Sequence, residues 1–313
     1  MAFETVAEAD KYSRTQLIKG VVEAIVAESP VLNLLPFAEI LGNSLTYNRE
    51  ATLGGAQFYN PGDTWVEGTP TVTAVTATLK ILGGDADIDN FLALTRSNEQ
   101  DLEAEVLAMK AKAVAREFQD EFVYGELAVD PKGFNGLHVT AEALAAAQNV
   151  HLGSSTTPAV GTFTQLDQLC DCIVGGPSAL MMSRRTRRGI QKLARSQGWA
   201  LQSAPVGALG YLAQLWSGIP ILINDFMVDT ELLASSKYSA KTGGASSSIF
   251  ALKFGGDALF GLEAGGGIQV ERVGSLETKD AKRDRVKWYC GLALLSSVAM
   301  ARMDGLSSGD WTN

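Results

Sequence analysis

The stretch SLTYNREATLGGAQFYNPGDTWVEGTPTVTAVTATLKI, residues 44 to 81, decides the fold of this chain. Thr46 to Arg49 has the composition of a strand, and Thr71 to Ile81 combines β-type residues with near alternation of apolar and polar side chains. Leu53 to Gly68, between them, is rich in Gly, Asn, Pro and Asp, as loop tips are. The pattern predicts a long two-stranded hairpin with an extended loop at its tip. Because an isolated hairpin is only marginally stable in water, we expect it to lie on a surface, and a partner subunit is the natural candidate.

The tip of this hairpin carries clustered aromatic side chains, Phe58, Tyr59 and Trp65, with Asn60 beside them. Such a cluster on an exposed loop is unusual for a monomer. Packing within the loop would explain it locally, whereas contact with another subunit fits the enrichment of aromatic residues at protein interfaces. We expect these four residues to make inter-subunit contacts.

Upstream of the hairpin, apolar residues from 17 to 25 recur at helical spacing. Ser13 and Gln16 have the spacing of a capping box at the start of this helix. Pro30 and Pro36 then interrupt regular structure. The sequence therefore predicts a short helix followed by an extended arm.

Downstream, residues 98 to 124 give the clearest helical pattern, with Ser97 or Asn98 as its N-cap and Gly125 as its stop. At about 1.5 Å per residue the helix would be on the order of 40 Å long. Two apolar stripes follow it: Leu102, Val106, Met109 and Ala113, and Leu107, Val114, Phe118 and Phe122.

The rest of the chain alternates short helices and strands without the regular order of βαβ units, which predicts an α+β fold. Helical segments are expected at 141–148, 164–175 and 184–197. Strands are expected at 179–182, 219–224, 248–254, 258–263, 268–273 and 284–295. An exposed flexible loop is expected at 235–248, and a short closing turn at 297–304.

Composition excludes several classes of function. The net charge of −9 and the pI of about 4.9 argue against sequence-specific DNA binding. The chain has two histidines and three cysteines, two of them in a Cys-x-Cys pair, and this set does not complete a zinc site. The sequence also contains no phosphate-binding motif and no nucleophile motif. No apolar run reaches the ~20 residues of a membrane span. We therefore expect no catalytic residue, cofactor, metal or membrane partner.

Asp85, Asp87 and Asp89 have the spacing that begins a calcium loop, but Asn90 and Arg96 stand where that loop requires Gly and Glu. The mismatch favours a solvated face at the end of a strand.

A second charged group is the densest basic cluster, formed by Arg184, Arg185, Arg187 and Arg188. It lacks the surrounding basic charge and the interleaved aromatics of a nucleic-acid site. We expect these arginines to pair with acidic groups, across an interface between subunits.

Several stretches together resemble the major capsid proteins of tailed bacteriophages, over about residues 11 to 305. The similar stretches are QLIKGVVEAIVAESPVLNLLPFAEILGNSLTYN (16–48), DEFVYGELAVDPKGFNGL (120–137), residues 166–197, WSGIPI (216–221), FALKFGGDALF (250–260) and VKWYCGLALLSSVAMARMDG (286–305). Their order and spacing carry the resemblance, since no single motif is highly specific.

The resemblance implies an α+β tailed-phage major capsid fold with an N-terminal arm, a long two-stranded extended loop, a spine helix, a peripheral β platform and an axial lobe. The implied division is residues 1–43 for the arm, 44–90 for the extended loop, 91–165 for the peripheral domain with the spine helix, 166–275 for the axial domain, 276–298 for the peripheral platform strand and 299–313 for the C-terminal return.

The resemblance also implies a coat protein that self-assembles into hexamers and pentamers of an icosahedral shell around packaged double-stranded DNA. Its partners would be other copies of itself, a separate scaffolding protein, the portal, a decoration protein and the DNA, contacted without sequence specificity. It would assemble in the host cytoplasm and reside in the virion.

Two departures qualify this expectation. Some family members crosslink through a lysine in the loop, but residues 51 to 79 contain no lysine, and Lys80 lies at the returning base. We therefore expect no covalent crosslinking. Others begin with a cleaved scaffolding segment, whereas here the fold is expected to begin almost at once.

Two alternative functions remain open from the sequence. An encapsulin-type nanocompartment shell shares the fold and would contain enzyme cargo. A soluble enzyme of unknown chemistry would require a convergent polar site, which no motif in the sequence indicates.

Overall fold

The computed structural model describes residues 31–32, 34–91, 102–206 and 211–312. The helices are α1 (Leu102–Tyr124), α2 (Leu137–Glu142), α3 (Phe163–Asp171) and α4 (Arg184–Ser196), with a 3₁₀ turn at Ala146–Gln148. The strands are β1 (Phe37–Glu39), β2 (Ser44–Thr52), β3 (Thr71–Thr78), β4 (Lys80–Asp89), β5 (Asn149–His151), β6 (Ala159–Thr162), β7 (Ala179–Met182), β8 (Ser203–Val206), β9 (Tyr211–Trp216), β10 (Ile219–Ile223), β11 (Leu232–Ala234), β12 (Lys237–Ala240), β13 (Ser247–Leu252), β14 (Leu259–Ser275), β15 (Ala281–Leu294) and β16 (Met300–Thr312).

Two sheets form the body of the subunit. The smaller has the order β1-β14-β15-β4, and the larger has the order β5-β16-β13-β7-β10-β9-β8, with β6 also pairing with β16. The pairs β2–β3 and β11–β12 form separate two-stranded sheets. The mixed helix and sheet architecture confirms the α+β class.

The larger sheet is covered on both faces, because successive strand residues point to opposite sides. Met181 of β7 belongs to the same buried cluster as Phe118 of α1. Its neighbour Met182 belongs to a second cluster with Leu166 of α3 and Ile190 of α4. The cluster to which the spine helix contributes thus covers one face of the larger sheet, and α3 and α4 cover the other. The helix itself lies nearest to β4 and β15 of the smaller sheet.

Helix α1 confirms the predicted spine helix, although its expected caps, Ser97 and Asn98, lie outside the described residues. The second predicted stripe is its buried face, whereas Met109 of the first is largely exposed. Helix α1 ends where the chain turns sharply at Gly125. A β-carbon there would come within 2.2 Å of the Phe134 carbonyl oxygen, so only glycine allows this approach.

The predicted closing turn at 297–304 is wrong from Met300 onward, because β16 begins there and runs through the interior of the larger sheet. Residues 300 to 306 are all buried, so the segment lacks the polar–apolar alternation by which a half-covered strand is identified. Arg302 and Asp304 are its charged residues, and they pair with each other in the interior.

The expected flexible loop at 235–248 is also wrong in part, since residues 237–240 form β12 and residues 247 and 248 begin β13. Ser246, Ser247 and Ser248 are fully buried. Serine-rich composition misled the prediction because two of these hydroxyls bind Glu231 inside the protein.

Two further boundaries differ from expectation. The predicted strands 258–263 and 268–273 are parts of one strand, β14, with an irregularity between Ala264 and Gln269 where three glycines have positive φ. The predicted helical patch at 141–148 is instead the end of α2 followed by a 3₁₀ turn.

The predicted N-terminal helix and its capping box lie outside the described residues. Within the described segments, no helix is long and apolar enough to cross a membrane.

Candidate assembly surfaces

The base of the β2–β3 hairpin is bound to its own chain. Tyr47 donates its hydroxyl hydrogen to the carbonyl oxygen of Leu294 at 2.7 Å. Arg49 donates to the same oxygen at 2.5 Å and to the carbonyl oxygen of Leu295 at 3.0 Å. The expectation that the hairpin lies on a partner subunit is therefore wrong for its base, which lies on its own subunit. Sequence patterns do not reveal such contacts, because they join residues about 245 positions apart.

Apolar packing reinforces these bonds. Leu45, Tyr47 and Ala77 of the hairpin contact a small cluster that includes Phe260 and Leu262 of β14. Burial raises the pKa of Tyr47, while the neighbouring Arg49 opposes that shift. Alternate residues of β2 face this surface and the intervening ones face solvent. The hairpin therefore leaves the body in a direction fixed by its first few residue pairs.

We expect the substitution Arg49→Met to loosen the hairpin base without unfolding the subunit. Methionine retains much of the apolar stem but removes the charged donor to the carbonyl groups of Leu294 and Leu295, a loss of about 1–2 kcal/mol. Backbone amides of β2 should then exchange with solvent about 5- to 30-fold faster. Hydrogen-exchange mass spectrometry measures this, with Glu50→Met on the solvent-facing side as the matched control. Equal protection of β2 in both variants would contradict the anchoring role.

The tip of the hairpin forms a small structure of its own. The rings of Tyr59 and Trp65 stack with centroids 4.4 Å apart, and the amide of Val66 donates to the Tyr59 hydroxyl at 2.9 Å. The amide of Asn60 donates to the carboxylate of Asp63 at 2.6 Å. Local packing thus accounts for part of the aromatic cluster.

Two aromatic side chains of the tip are nevertheless open to solvent. Phe58 is fully exposed, and Trp65 retains 78% of its accessible surface despite the stacked ring. At the neck of the tip, a β-carbon on Gly68 would meet the amide nitrogen of Gly55 at 2.4 Å, so the two chain segments touch through backbone. The result is an ordered projection that presents apolar surface.

Strands β14, β15 and β4 of the smaller sheet carry a row of ion pairs. Arg285 binds Asp85 through two bonds of 2.6 and 3.0 Å, and Arg283 binds Asp87 through two of 2.6 and 2.7 Å. Lys287 continues the row by contacting Glu271 at 2.7 Å. The aspartates therefore lie on a strand face, paired across β4 and β15. Within the described residues, no group of three or more His, Cys, Asp or Glu side chains is placed to hold a metal ion.

These pairs should make the stability of the sheet depend on pH in the acidic range. Hydrogen bonds from Arg285 and Arg283 hold the pKa of Asp85 and of Asp87 below the usual value. Stabilisation by a carboxyl group with a lowered pKa is present above the unfolded-state pKa of about 3.9 and is lost as the pH falls through the folded-state pKa.

We therefore expect the double variant D85N/D87N to melt below the wild-type protein at pH 7 and to approach it at about pH 3. Thermal unfolding of the unassembled subunit at a series of pH values measures the difference. Asp257→Asn, which removes an exposed carboxylate elsewhere, serves as the control. Melting curves of wild type and double variant that stay equally far apart down to pH 3 would contradict the pairing.

A buried polar network joins the end of α1 to the larger sheet. Its centre is Glu231, which has no exposed surface. Tyr124 of α1 donates to one carboxylate oxygen at 2.9 Å, and Ser248 of β13 donates to the other at 2.5 Å. The Nε2 atom of His138 lies 3.0 Å from the first oxygen. Burial and the adjacent Glu231 carboxylate raise the pKa of Tyr124 well above its usual range.

A second buried pair extends the network along β16. Nη2 of Arg302 lies 2.7 Å from Oδ2 of Asp304, and the Nδ1 atom of His151 lies 2.5 Å from the other carboxylate oxygen. The Arg302–Asp304 contact is short enough for an ion pair but is not aligned as a hydrogen bond, so charge attraction is its main contribution. Arg302 also approaches Nδ1 of His138 at 3.5 Å. No sequence motif predicted this network, and an arginine within an Ala- and Met-rich run was its one visible sign.

The arginine cluster lies at the start of α4. Arg184 makes a two-bond pair with Asp225 of the same chain, at 2.6 and 3.0 Å, so it pairs with an acidic group as expected but does so within one subunit. Arg185 and Arg188 are exposed, and Arg187 is half-buried. The cluster is therefore only partly neutralised within the described chain.

The three cysteines are free thiols. Burial raises the pKa of Cys170 to about 11 and that of Cys290 to about 12. Raised thiol pKa values disfavour the thiolate form that acts as a nucleophile or metal ligand.

Comparison with known proteins adds independent information. The model of the phage capsid family matches residues 13–290. Among solved structures, the chain is similar to the holo-SrpI encapsulin complex from Synechococcus elongatus PCC 7942, with a TM-score of 0.65, 17% identity and 91% of each chain covered. It is also similar to the capsid of an empty GTA particle, with a TM-score of 0.59, 16% identity and 88% of each chain covered. A third similar structure is that of Microbacterium phage Oxtober96, with a TM-score of 0.60, 12% identity and 88% of this chain and 90% of that chain covered.

At these identities the structural likeness establishes a shared fold and nothing finer. No curated protein sequence matches the chain.

Proposed function

Because this chain belongs to the phage capsid family, and is thus a structural capsid shell protein of the virion, we propose that it is the major capsid protein of a tailed bacteriophage. In this proposal it assembles into hexamers and pentamers of an icosahedral shell around packaged double-stranded DNA. The observation that carries the proposal is the extended loop, which is bound to its own subunit at the base and presents exposed aromatic surface at the tip.

The geometry of the loop suggests how shell contacts arise. A rigid base directs the tip away from the body, and Phe58, Tyr59, Asn60 and Trp65 would meet a neighbouring copy. Arg184, Arg185, Arg187 and Arg188 would lie at a second contact between subunits. Each contact is small, but a closed shell repeats it many times, so the assembly gains strength by multivalency without a tight pairwise interface.

The proposed division of the chain follows the same scheme: an arm at 1–43, the extended loop at 44–90, a peripheral domain at 91–165, an axial domain at 166–275, a platform strand at 276–298 and a C-terminal return at 299–313. Several strand pairings cross these limits: β14, at the end of the proposed axial domain, pairs along its length with β15, and β15 pairs in turn with β4 of the proposed extended loop. The last proposed segment contains all of β16, in the interior of the larger sheet.

We propose that the shell is held together without covalent crosslinks. Residues 51–79 contain no lysine, and the ammonium group of Lys80 donates to the carbonyl oxygen of Pro131 in the same subunit at 2.7 Å. Further proposed partners are a separate scaffolding protein, the portal, a decoration protein and the packaged DNA. Assembly would take place in the host cytoplasm.

The encapsulin alternative is not favoured, because the family model that matches is that of phage capsids. The likeness to an encapsulin at 17% identity reflects the common fold.

Sedimentation velocity of the purified full-length chain, alone and after co-expression with the adjacent candidate scaffold gene, tests the proposal. We expect rings of five or six copies, or closed shells, and a single subunit band after denaturing electrophoresis. A compact monomer in both samples at high concentration would refute a shell function. Particles filled with a host enzyme would replace it with an encapsulin.

A further inference from the structure

The exposed face of α4 is basic along its whole length. The helix carries six cations and no acidic residue in the sequence RRTRRGIQKLARS. Five of the cations are exposed, and four of these lie within an arc of about 80° at 3.6 residues per turn. We call this set the basic stripe: Arg185, Arg188, Lys192 and Arg195.

The described part of the chain supplies no carboxylate that pairs with the basic stripe. Arg184, next to the stripe, is paired with Asp225. Within the described parts of the chain, none of the four stripe residues forms an ion pair with a carboxylate. The first turn of α4 contains no acidic side chain, although the helix dipole disfavours cations there. Like charges three and four residues apart further destabilise the isolated helix.

The opposite face of α4 fixes the stripe in place. Thr186, Ile190 and Leu193 are buried, and they pack the helix onto the larger sheet on the side away from α1. The side chain of Ser183 caps the first turn by accepting from the amide of Thr186 at 3.2 Å. The stripe is therefore a row of cations on a rigid element, arranged before any partner binds.

The dimensions and composition of the stripe match a phosphate backbone. From Arg185 to Arg195 the helix rises about 15 Å. Duplex DNA presents about nine phosphate charges over that length, at one per ~1.7 Å of axis. Arginine, which supplies three of the four cations, binds phosphate through two parallel hydrogen bonds. Although the chain carries a net charge of −9, salt at about 0.1 M screens charges more than about 10 Å away, so the stripe acts at contact.

We propose that the basic stripe of α4 binds the phosphate backbone of duplex DNA without sequence preference. The inference rests on the proposed function, since it places contact with packaged DNA on one helix face of the shell subunit. It assigns Arg185 and Arg188 to DNA, in place of the contact between subunits that was proposed above for these two residues.

Binding of a fluorescent 20-base-pair duplex to the unassembled full-length chain tests the proposal by anisotropy at several salt concentrations. The stripe variant is R185Q/R188Q/K192Q/R195Q. The matched control removes four exposed cations elsewhere, in the variant K132Q/K237Q/K279Q/K282Q. We expect the stripe variant to lose at least ~30-fold in affinity at about 50 mM salt and to lower the slope of log K against log salt by about 3 to 4. The control should bind much as the wild-type chain does.

Equal DNA affinity of the stripe variant and the wild-type chain would overturn the proposal. A wild-type chain that binds poly-glutamate but not the duplex would overturn it in favour of an acidic protein partner. Negative-stain microscopy of the same preparations separates this inference from the shell function. Closed shells whose subunits do not bind DNA would remove only the stripe assignment, whereas DNA binding by a chain that never forms shells would support the stripe and refute the shell.

Discussion

Deleting residues 54 to 66 should abolish shell formation and leave a folded subunit. The deletion removes Phe58, Tyr59 and Trp65, the aromatic surface that the hairpin presents beyond its own subunit. The remaining connection consists of Leu53 and residues 67–70, five residues, which is within the usual length of a hairpin loop. The Thr52 and Thr71 hydroxyl groups, 2.6 Å apart, still close the end of the strand pair.

Sedimentation velocity and thermal unfolding together measure this effect. We expect no particle larger than a free ring in the deletion variant, with a melting temperature within a few degrees of the wild-type subunit, since the tip contributes little to the core. The double variant F58A/W65A keeps the loop length and should also assemble poorly, which assigns the effect to the aromatic surface. Normal shells from the deletion variant would refute the role of the loop.

Replacing Glu231 with leucine should destabilise the subunit more than any exposed substitution. Leucine is close in volume but accepts no hydrogen bond, so Tyr124, Ser248 and His138 would lose their common partner inside the protein. Breaking a buried charged network by removing one member costs about 3–5 kcal/mol. The network joins α1 and α2 to the larger sheet, so we expect both sides of the subunit to loosen together.

Urea unfolding of the unassembled subunit measures the loss. The matched control is Glu277→Leu, at an exposed turn, for which we expect a change within about 0.5 kcal/mol. If E231L and E277L unfold at the same urea concentration, the network is not a main support of the fold.

The parts of the fold that sequence patterns predicted are those with a strong local signal. Helix α1 has a long apolar stripe and a glycine stop, and β7 and β10 are short apolar runs between turn residues, so their positions were predicted well. The two strands of the hairpin were predicted from their β-type composition and the loop residues between them. In each case the periodicity or composition of consecutive residues reflects the local environment.

The features that the sequence did not predict depend on contacts between distant segments. Strand β16 is covered on both faces, so it has no alternation, and its buried Arg302 pairs with Asp304, which also contacts His151 from a distant segment. The anchoring of Arg49 on the end of β15 and the gathering of four segments around Glu231 likewise have no local signature. For the tip, the sequence predicted exposed aromatics but not the stacking of Tyr59 on Trp65.

Electron cryomicroscopy of the assembled particle tests the central claim most directly, because it images the subunits and their contacts at once. We predict a closed icosahedral shell of five- and six-membered rings, in which Phe58 and Trp65 of each loop tip lie against a neighbouring copy. A particle without closed symmetry, or a shell in which every loop tip lies free in solvent, would contradict the account.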